Sequence, residues 1–280
     1  MNLDERALTF ACGEDCLYGI LSPVAGPCAR GVLIVVGGPQ YRVGSNRQFT
    51  LLARSLASEG LAAMRFDYRG MGDSEGDTRD FNDVEDDLRA AIDAFMTAVP
   101  GMREVVLWGL CDAASAATMY AAADERVSGL VLLNPWVRTA DSLARTTLKH
   151  YYRDRLLDRS FWRQIISGRL NFVRSLKSML KLAGDAFAAP ASTPATGGSL
   201  PDRMHTGMRD FRGKVMIIIS GADLTGREFC DLTAATTKWK RLLDSPQVTQ
   251  RRIDKADHTF SRRAWRDQVS EWTSHWIRSW

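Results

Sequence analysis

Between residues 103 and 123 the chain reads REVVLWGLCDAASAATMYAAA. An apolar, β-branched run climbs through Trp108 to Leu110, one cysteine follows, and small helix-forming residues begin at once. A buried strand that turns within a residue into a helix points to parallel α/β architecture. A parallel partner strand starts at the far end of the sheet, so the chain needs a long crossover, usually a helix, to reach it.

The same alternation recurs. GVLIVVGG (31–38) reads as a strand buried on both faces. In RQFTLLARSLASEG (47–60), Phe49, Leu52, Ala53, Leu56 and Ala57 fall at helical spacing before a terminating glycine. LAAMRFDYRG (61–70) is the next strand and loop, and DFNDVEDDLRAAIDAFMTAV (80–99) is an acid-rich amphipathic helix ended by Pro100-Gly101. Strands are expected at 127–136, 213–220 and 248–254, with a helix near 226–243 and a Trp-rich helix at 262–280. Two alternating runs around Gly13-Glu14-Asp15 (7–22) predict a β-hairpin at the start. The fold class is therefore α/β, with a mainly parallel, doubly wound sheet and helices on both faces.

Residues 137–212 interrupt the pattern. They hold no strand-like run but do hold basic, aromatic helical stretches, HYYRDRLLDRSFWRQII and LNFVRSLKSMLKLAG. The run APASTPATGGSLPDRMHTG (189–207) reads as a loose, flexible segment. The expected organisation is a core in two parts, 1–136 and 213–280, with 137–212 inserted as a helical cap or lid.

The totals limit the function. A net charge of +4 over 280 residues gives no reason to invoke nucleic acid. No run of about 18 apolar residues suggests a transmembrane segment, and MNLDERALTF lacks the apolar core of a secretion signal. The five cysteines, Cys12, Cys16, Cys28, Cys111 and Cys230, are an odd set without that signal, so reduced thiols and a cytoplasmic location are expected. Cys12 and Cys16 have a metal-like spacing, but no second Cys/His pair follows, and they read as strand residues. No metal or organic cofactor motif is found, so no cofactor is expected. The oligomeric state is not encoded in any recognisable pattern.

The chemistry centres on GLCDA (109–113), which has the form small-x-nucleophile-x-small between a strand and a helix. Such a nucleophile elbow pushes the middle side chain out at the carboxyl edge of the sheet. The amides at the start of the following helix favour an anion there, either a thiolate or the oxyanion of acyl transfer. A thiol needs a base. Among His150, His205, His258 and His275, only His258 falls between the last strand and the last helix, at the same carboxyl edge. Asp223, two residues after the glycine that ends IIISG, is the expected orienting acid, ahead of Asp257. The order Cys111, Asp223, His258 is nucleophile, acid, base. The oxyanion hole should combine the Asp112 amide with one from GGPQYRVG. Pro39 has no N–H, so that second donor is Gly38 or Gln40. Asp112 itself suits a helix N-terminus, although its charge opposes ionisation of the neighbouring thiol. RFDYRGMGDSEG (65–76) fits neither G-x-G-x-x-G nor a P-loop, and its Asp-x-Arg-Gly-x-Gly-x-Ser pattern resembles the turn typical of α/β-hydrolases, which implies that Asp67, Arg69, Gly72 and Ser74 are structural.

Each piece alone is commonplace. A cysteine after an apolar strand is usually a small buried residue. The coincidence of elbow, acid and histidine in order, each at the carboxyl end of a strand, is what carries the catalytic reading.

Along nearly its whole length the chain resembles the α/β-hydrolases. More narrowly it resembles the exosortase A system-associated hydrolases of the first type. The likeness rests on GGPQYRVGS (37–45), FDYRGMGDSEG (66–76), GLCDAASAA (109–117), LVLLNPWVRT (130–139), SGADLT (220–225) and DHTFS (257–261). The resemblance implies an α/β-hydrolase fold and a bacterial protein linked to exopolysaccharide and exosortase systems. By position it implies Cys111, Asp223 and His258 as the triad.

These readings lead to an acyl hydrolase, an esterase or thioesterase, acting on a small-molecule or lipid-carrier acyl substrate through an acyl-enzyme. One competing function is an acyltransferase that moves an acyl group from a thioester to a sugar or other hydroxyl. Another is a non-catalytic hydrolase-like binding scaffold, against which stands the presence of competent residues at all three triad positions.

Overall fold

The computed structural model describes residues 4–38, 40–138 and 198–280. The elements are β1 (Arg6–Cys12), β2 (Asp15–Ser22), β3 (Arg30–Val35), α1 (Gln48–Ser58), β4 (Ala63–Asp67), α2 (Glu85–Ala98), β5 (Glu104–Leu110), α3 (Asp112–Tyr120), β6 (Val127–Leu133), α4 (Leu200–Asp210), β7 (Lys214–Ser220), α5 (Leu224–Ala235), α6 (Thr237–Leu243), β8 (Val248–Ile253) and α7 (Arg263–Arg278).

Among the described residues the strands form one eight-stranded sheet in the order β1-β2-β4-β3-β5-β6-β7-β8. The expected hairpin is antiparallel and turns at Gly13, whose φ is 63°. β2 pairs antiparallel with β4, and every later pairing is parallel. The strand order reverses between β3, β4 and β5, which is where an open α/β sheet forms its crevice at the carboxyl ends.

Side-chain alternation along the central strands builds two cores. On β5, Val105 and Leu107 point to one face, where Leu88, Ile92 and Phe95 of α2 and the alanines of α3 cover them. Val106, Trp108 and Leu110 point to the other, beneath Phe49, Leu52 and Leu56 of α1 and Val269, Trp276 and Ile277 of α7. Gly109 lets α3 fold back onto β5, because a Cβ there would sit 2.7 Å from the Ala113 carbonyl and the Ala114 nitrogen.

Two expectations are corrected. Residues 189–197 and the basic stretches expected as cap helices lie outside the described residues. The second half of the supposedly loose run, however, is helix α4. Ser199 caps it by accepting from the Asp202 N–H, Pro201 stands in its first turn, and Met204 and Met208 are buried in the core. The helix expected near 226–243 is two helices, because Thr236 is extended (φ −122°, ψ 126°) and forms the N-cap of α6.

Candidate active site

Cys111 leaves the sheet between β5 and α3 with φ 64° and ψ −123°. This is backbone that L-residues rarely adopt, and it persists only where the surroundings impose it. They do so here. The Cys111 N–H donates to the Leu133 carbonyl at 2.9 Å, and its carbonyl accepts from Ala114 at 3.1 Å and Trp136 at 3.1 Å. Ser115 Oγ donates to the Trp136 carbonyl at 2.6 Å, tying the loop after β6 to α3. The thiol is partly exposed at the carboxyl edge of the sheet.

His258 lies in the loop between β8 and α7, and Asp223 caps the start of α5 after β7. Nδ1 of His258 is 3.0 Å from Oδ2 of Asp223, and Cys111 lies near enough to the same imidazole to raise its pKa. The hydrogen bonds to Asp223 and Cys111, with the charges of both, push the His258 pKa up to about 10 against the opposing effect of burial. Burial works to raise the Asp223 pKa. The hydrogen bond and charge of His258 and the amides of Gly226 and Thr225 outweigh it and hold the carboxyl below its ordinary value. The structure thus hydrogen-bonds His258 to Asp223 and sets Cys111 beside the same imidazole. Asp257 is used elsewhere: its Oδ1 accepts from the Ser261 N–H at 2.9 Å, closing the turn after the histidine.

A residue not singled out from the sequence holds this edge together. Asn134 follows β6 with a φ of 43° and is fully buried. Its Oδ1 accepts from the Ser220 N–H at 2.8 Å, and its Nδ2 donates to Ser220 Oγ at 2.7 Å and to the His258 carbonyl at 3.3 Å. One side chain thereby joins the ends of β6 and β7 to the histidine loop. A buried asparagine directly after an apolar strand was the available signal.

The loop after β3 is placed differently from a free donor loop. Gly38 has a φ of 61°, and its N–H donates to Oδ2 of Asp112 at 2.8 Å. Oδ1 of Asp112 accepts from Ala113 at 2.9 Å. The side chain of Gln40 is turned back on its own loop, its Oε1 accepting from the Ser45 N–H at 3.1 Å.

The glycine-rich segment after β4 is a packed turn. Ser74 Oγ donates to the Asp67 carbonyl at 2.6 Å, and Arg69 grips the buried Asp87 at 2.8 Å. Gly72, with a φ of 55°, passes so close that a Cβ would lie 2.2 Å from Asp67 Oδ2. Cavities of about 340 Å³ between α1 and α7, and of about 460 Å³ beside α2, α3 and α4, are lined by neither Cys111 nor His258. Among the described residues no cluster of His, Cys, Asp and Glu could hold a metal ion, and no helix is long and apolar enough to cross a membrane.

A largely parallel sheet with a residue on a positive-φ turn after β5, an acid after β7 and a histidine after β8 defines an α/β-hydrolase. The chain belongs to the alpha/beta hydrolase family, whose model matches residues 32–272. Solved structures share the fold at low identity. The Pyrococcus furiosus esterase Pf2001 is 15% identical with a TM-score of 0.67, covering 99% of this chain and 93% of that one. Est1E of Butyrivibrio proteoclasticus, solved with ferulic acid bound, is 14% identical with a TM-score of 0.65, covering 98% of each chain. A Xanthomonas campestris α/β serine hydrolase without lid is 18% identical with a TM-score of 0.59, covering 100% of this chain and 96% of that one. No curated protein sequence is significantly similar to this chain.

Proposed function

We propose that this protein is an acyl hydrolase, an esterase or thioesterase, that works through a Cys111-His258-Asp223 triad and an acyl-enzyme. The observation that carries the reading is His258, hydrogen-bonded to Asp223 and set close enough to the elbow cysteine for Cys111 to raise its pKa. The esterases among its fold neighbours support the same class of bond.

The chemistry follows from the charges. His258 takes the thiol proton, and Asp223 stabilises the resulting imidazolium. The sulfur attacks the substrate carbonyl carbon. The tetrahedral intermediate then collapses, breaking the bond to the leaving alkoxide or thiolate, which takes the proton from His258. Acylation removes the sulfur's charge and its hydrogen bond, two of the causes that raise the His258 pKa. The imidazole is then a better-matched base for the water that cleaves the thioester, and the proton of that water returns to sulfur by way of the imidazole.

The setting in bacterial exopolysaccharide and exosortase systems is part of this proposal and rests on the resemblance of sequence blocks, as does a small-molecule or lipid-carrier acyl substrate. A cytoplasmic location rests on the thiol content.

The test is to incubate the purified protein with short- and long-chain acyl thioesters and activated esters and to follow the intact mass, with peptide mapping. An acyl adduct on Cys111, absent in Cys111→Ala and slowed in His258→Ala, is expected to decay in water. An adduct that persists until a sugar hydroxyl is added identifies a transferase. No adduct and no turnover with any donor overturns the enzymatic reading.

A further inference from the structure

The two places from which an oxyanion hole must draw its donors are the loop after β3 and the turn after the nucleophile. Both are bound to one side chain. Oδ2 of Asp112 accepts from Gly38 at 2.8 Å, and Oδ1 accepts from Ala113 at 2.9 Å. The backbone amide of Asp112 itself is a third influence that lowers the carboxyl's pKa. The seat is shaped for this group. A Cβ on Gly37 would lie 2.0 Å from Oδ1 and 2.8 Å from the Ala113 nitrogen, so only a glycine leaves room for the carboxylate between loop and helix.

A carboxylate whose two oxygens are each held by a backbone amide, one from either segment, brings to this place the kind of charge that the oxyanion of acyl transfer would bring. We propose that the Asp112 carboxylate is the resting occupant of the oxyanion hole, and that an acyl donor reacts with Cys111 only by displacing it. Asp112 is thus a specificity-determining residue. It holds back weakly bound carbonyls and admits donors whose remaining contacts offset the displacement. The inference rests on the Cys111 reading above and adds a restraint to it.

The surroundings weaken the grip of the carboxylate. Burial, and then the charge of Asp80 in the segment before α2, push the Asp112 pKa up, against the three amides that lower it. The buried phenol of Tyr68, after β4, is likewise pushed up by burial and by the charges of Asp112, Asp80 and Asp87. Among the described residues the Asp112 carboxyl is held by the amides of Gly38 and Ala113 with Asp80 on the same side, and a carbonyl oxygen that takes those amides relieves the repulsion.

Two reactions of Cys111 separate the hole from the thiol. Acylation by p-nitrophenyl acetate forms an oxyanion, whereas alkylation by iodoacetamide is a displacement that forms none. Both would be followed by intact mass and peptide mapping on wild type, Asp112→Asn, Asp112→Ala and His258→Ala. Removing the carboxylate is expected to speed acylation by about tenfold or more in Asp112→Ala, with Asp112→Asn between it and wild type, while alkylation changes far less. If acylation is unchanged or slower in both folded variants, Asp112 is not a restraint. If acylation and alkylation rise by the same factor, the carboxylate acts only through its charge on the thiol. Either result overturns the proposal. Should Asp112→Ala fail to fold, the near-isosteric Asp112→Asn decides alone. A wild type that is acylated no faster than His258→Ala instead overturns the triad reading, and this inference with it.

Discussion

One oxygen of Asp223 serves two masters. Its Oδ2 lies 3.0 Å from Nδ1 of His258 and also accepts from the Gly226 N–H at 2.9 Å. The residue that orients the imidazole is also the N-cap of α5.

These roles separate on substitution. Asparagine caps a helix about as well as aspartate, so Asp223→Asn should keep the cap to within about 1 kcal/mol, and what stability it loses beyond that at neutral pH is the contribution of the charge pair with His258. It removes the charge that holds the imidazolium, and kcat/KM is expected to fall on the order of a hundred- to ten-thousandfold. Asp223→Ala should lose both the activity and about 1 kcal/mol of stability from the cap. Urea unfolding beside ester or thioester kinetics reads the two effects independently. A variant pair that loses activity only in proportion to stability would leave Asp223 a cap and nothing more.

His258 makes stability depend on pH. Its folded pKa, about 10, stands above the ordinary imidazole value of 6.5, so the folded state binds the proton more tightly than the unfolded chain. The contribution is fully present below about pH 6.5 and is lost as pH rises through about 10. The stability advantage of wild type over His258→Asn should therefore shrink between pH 6 and pH 10. Denaturant titrations at both ends of that window check the sign. An advantage that grows with pH contradicts the assignment.

Asn134 is expected to be as necessary as the triad. Asn134→Ala leaves the buried Ser220 N–H without its acceptor and frees the His258 carbonyl. An unsatisfied buried amide costs about 1–3 kcal/mol. The loss of activity should exceed what that destabilisation explains, because the histidine loop loses its tether to β6 and β7. Measuring kcat/KM well below the unfolding midpoint tests the excess directly.

Within the turn after β4, Arg69 spans Asp87 with Nη2 at 2.8 Å, and the Asp87 side chain is 0% exposed. Arg69→Met leaves that carboxylate buried and unpaired, at a cost of about 3–5 kcal/mol. The elbow lies elsewhere, so the variant that does fold should keep its rate of Cys111 alkylation. A shift of the urea midpoint without a change in that rate is the expected pair of results.

These positions show why the sheet and the meeting of Asp223 with His258 were readable in advance and the Asp112–Gly38 contact was not. Parallel strands buried on both faces appear as unbroken apolar runs, and GVLIVV, VVLWGL and VMIIIS each locate one. The elbow needs small neighbours, and Gly109 and Ala113 display them at fixed spacing. The Asp112–Gly38 hydrogen bond joins residues 74 apart, and nothing local to either position encodes it. It depends on how closely the Gly37 backbone approaches α3. At α4 composition and local pattern conflict, because APASTPATGG has the make-up of a loose segment and the residues just after it form a helix. Ser199 three residues before Asp202, with Leu200, Met204 and Met208 at helical spacing, was the truer local signal. The break at Thr236 was hidden because it interrupts neither the apolar period nor the polarity.

The elbow itself stores strain that can be measured. Cys111 sits at φ 64°, ψ −123°, a region nearly reserved for glycine, where a side chain costs on the order of 1–3 kcal/mol. Replacing it with alanine keeps a Cβ and therefore keeps the strain, whereas glycine removes it. Glycine adds about 0.5–1 kcal/mol of chain entropy to the unfolded state, which offsets part of the gain. Cys111→Gly should therefore be more stable than Cys111→Ala by about 1 kcal/mol, although both lack the thiol. The comparison uses two inactive proteins, so no difference in chemistry enters it. Equal urea midpoints would mean that the hydrogen bonds to Leu133, Ala114 and Trp136 hold the turn without strain. A clear gain for glycine would show that stability is given up at this residue to hold the sulfur at the edge of the sheet.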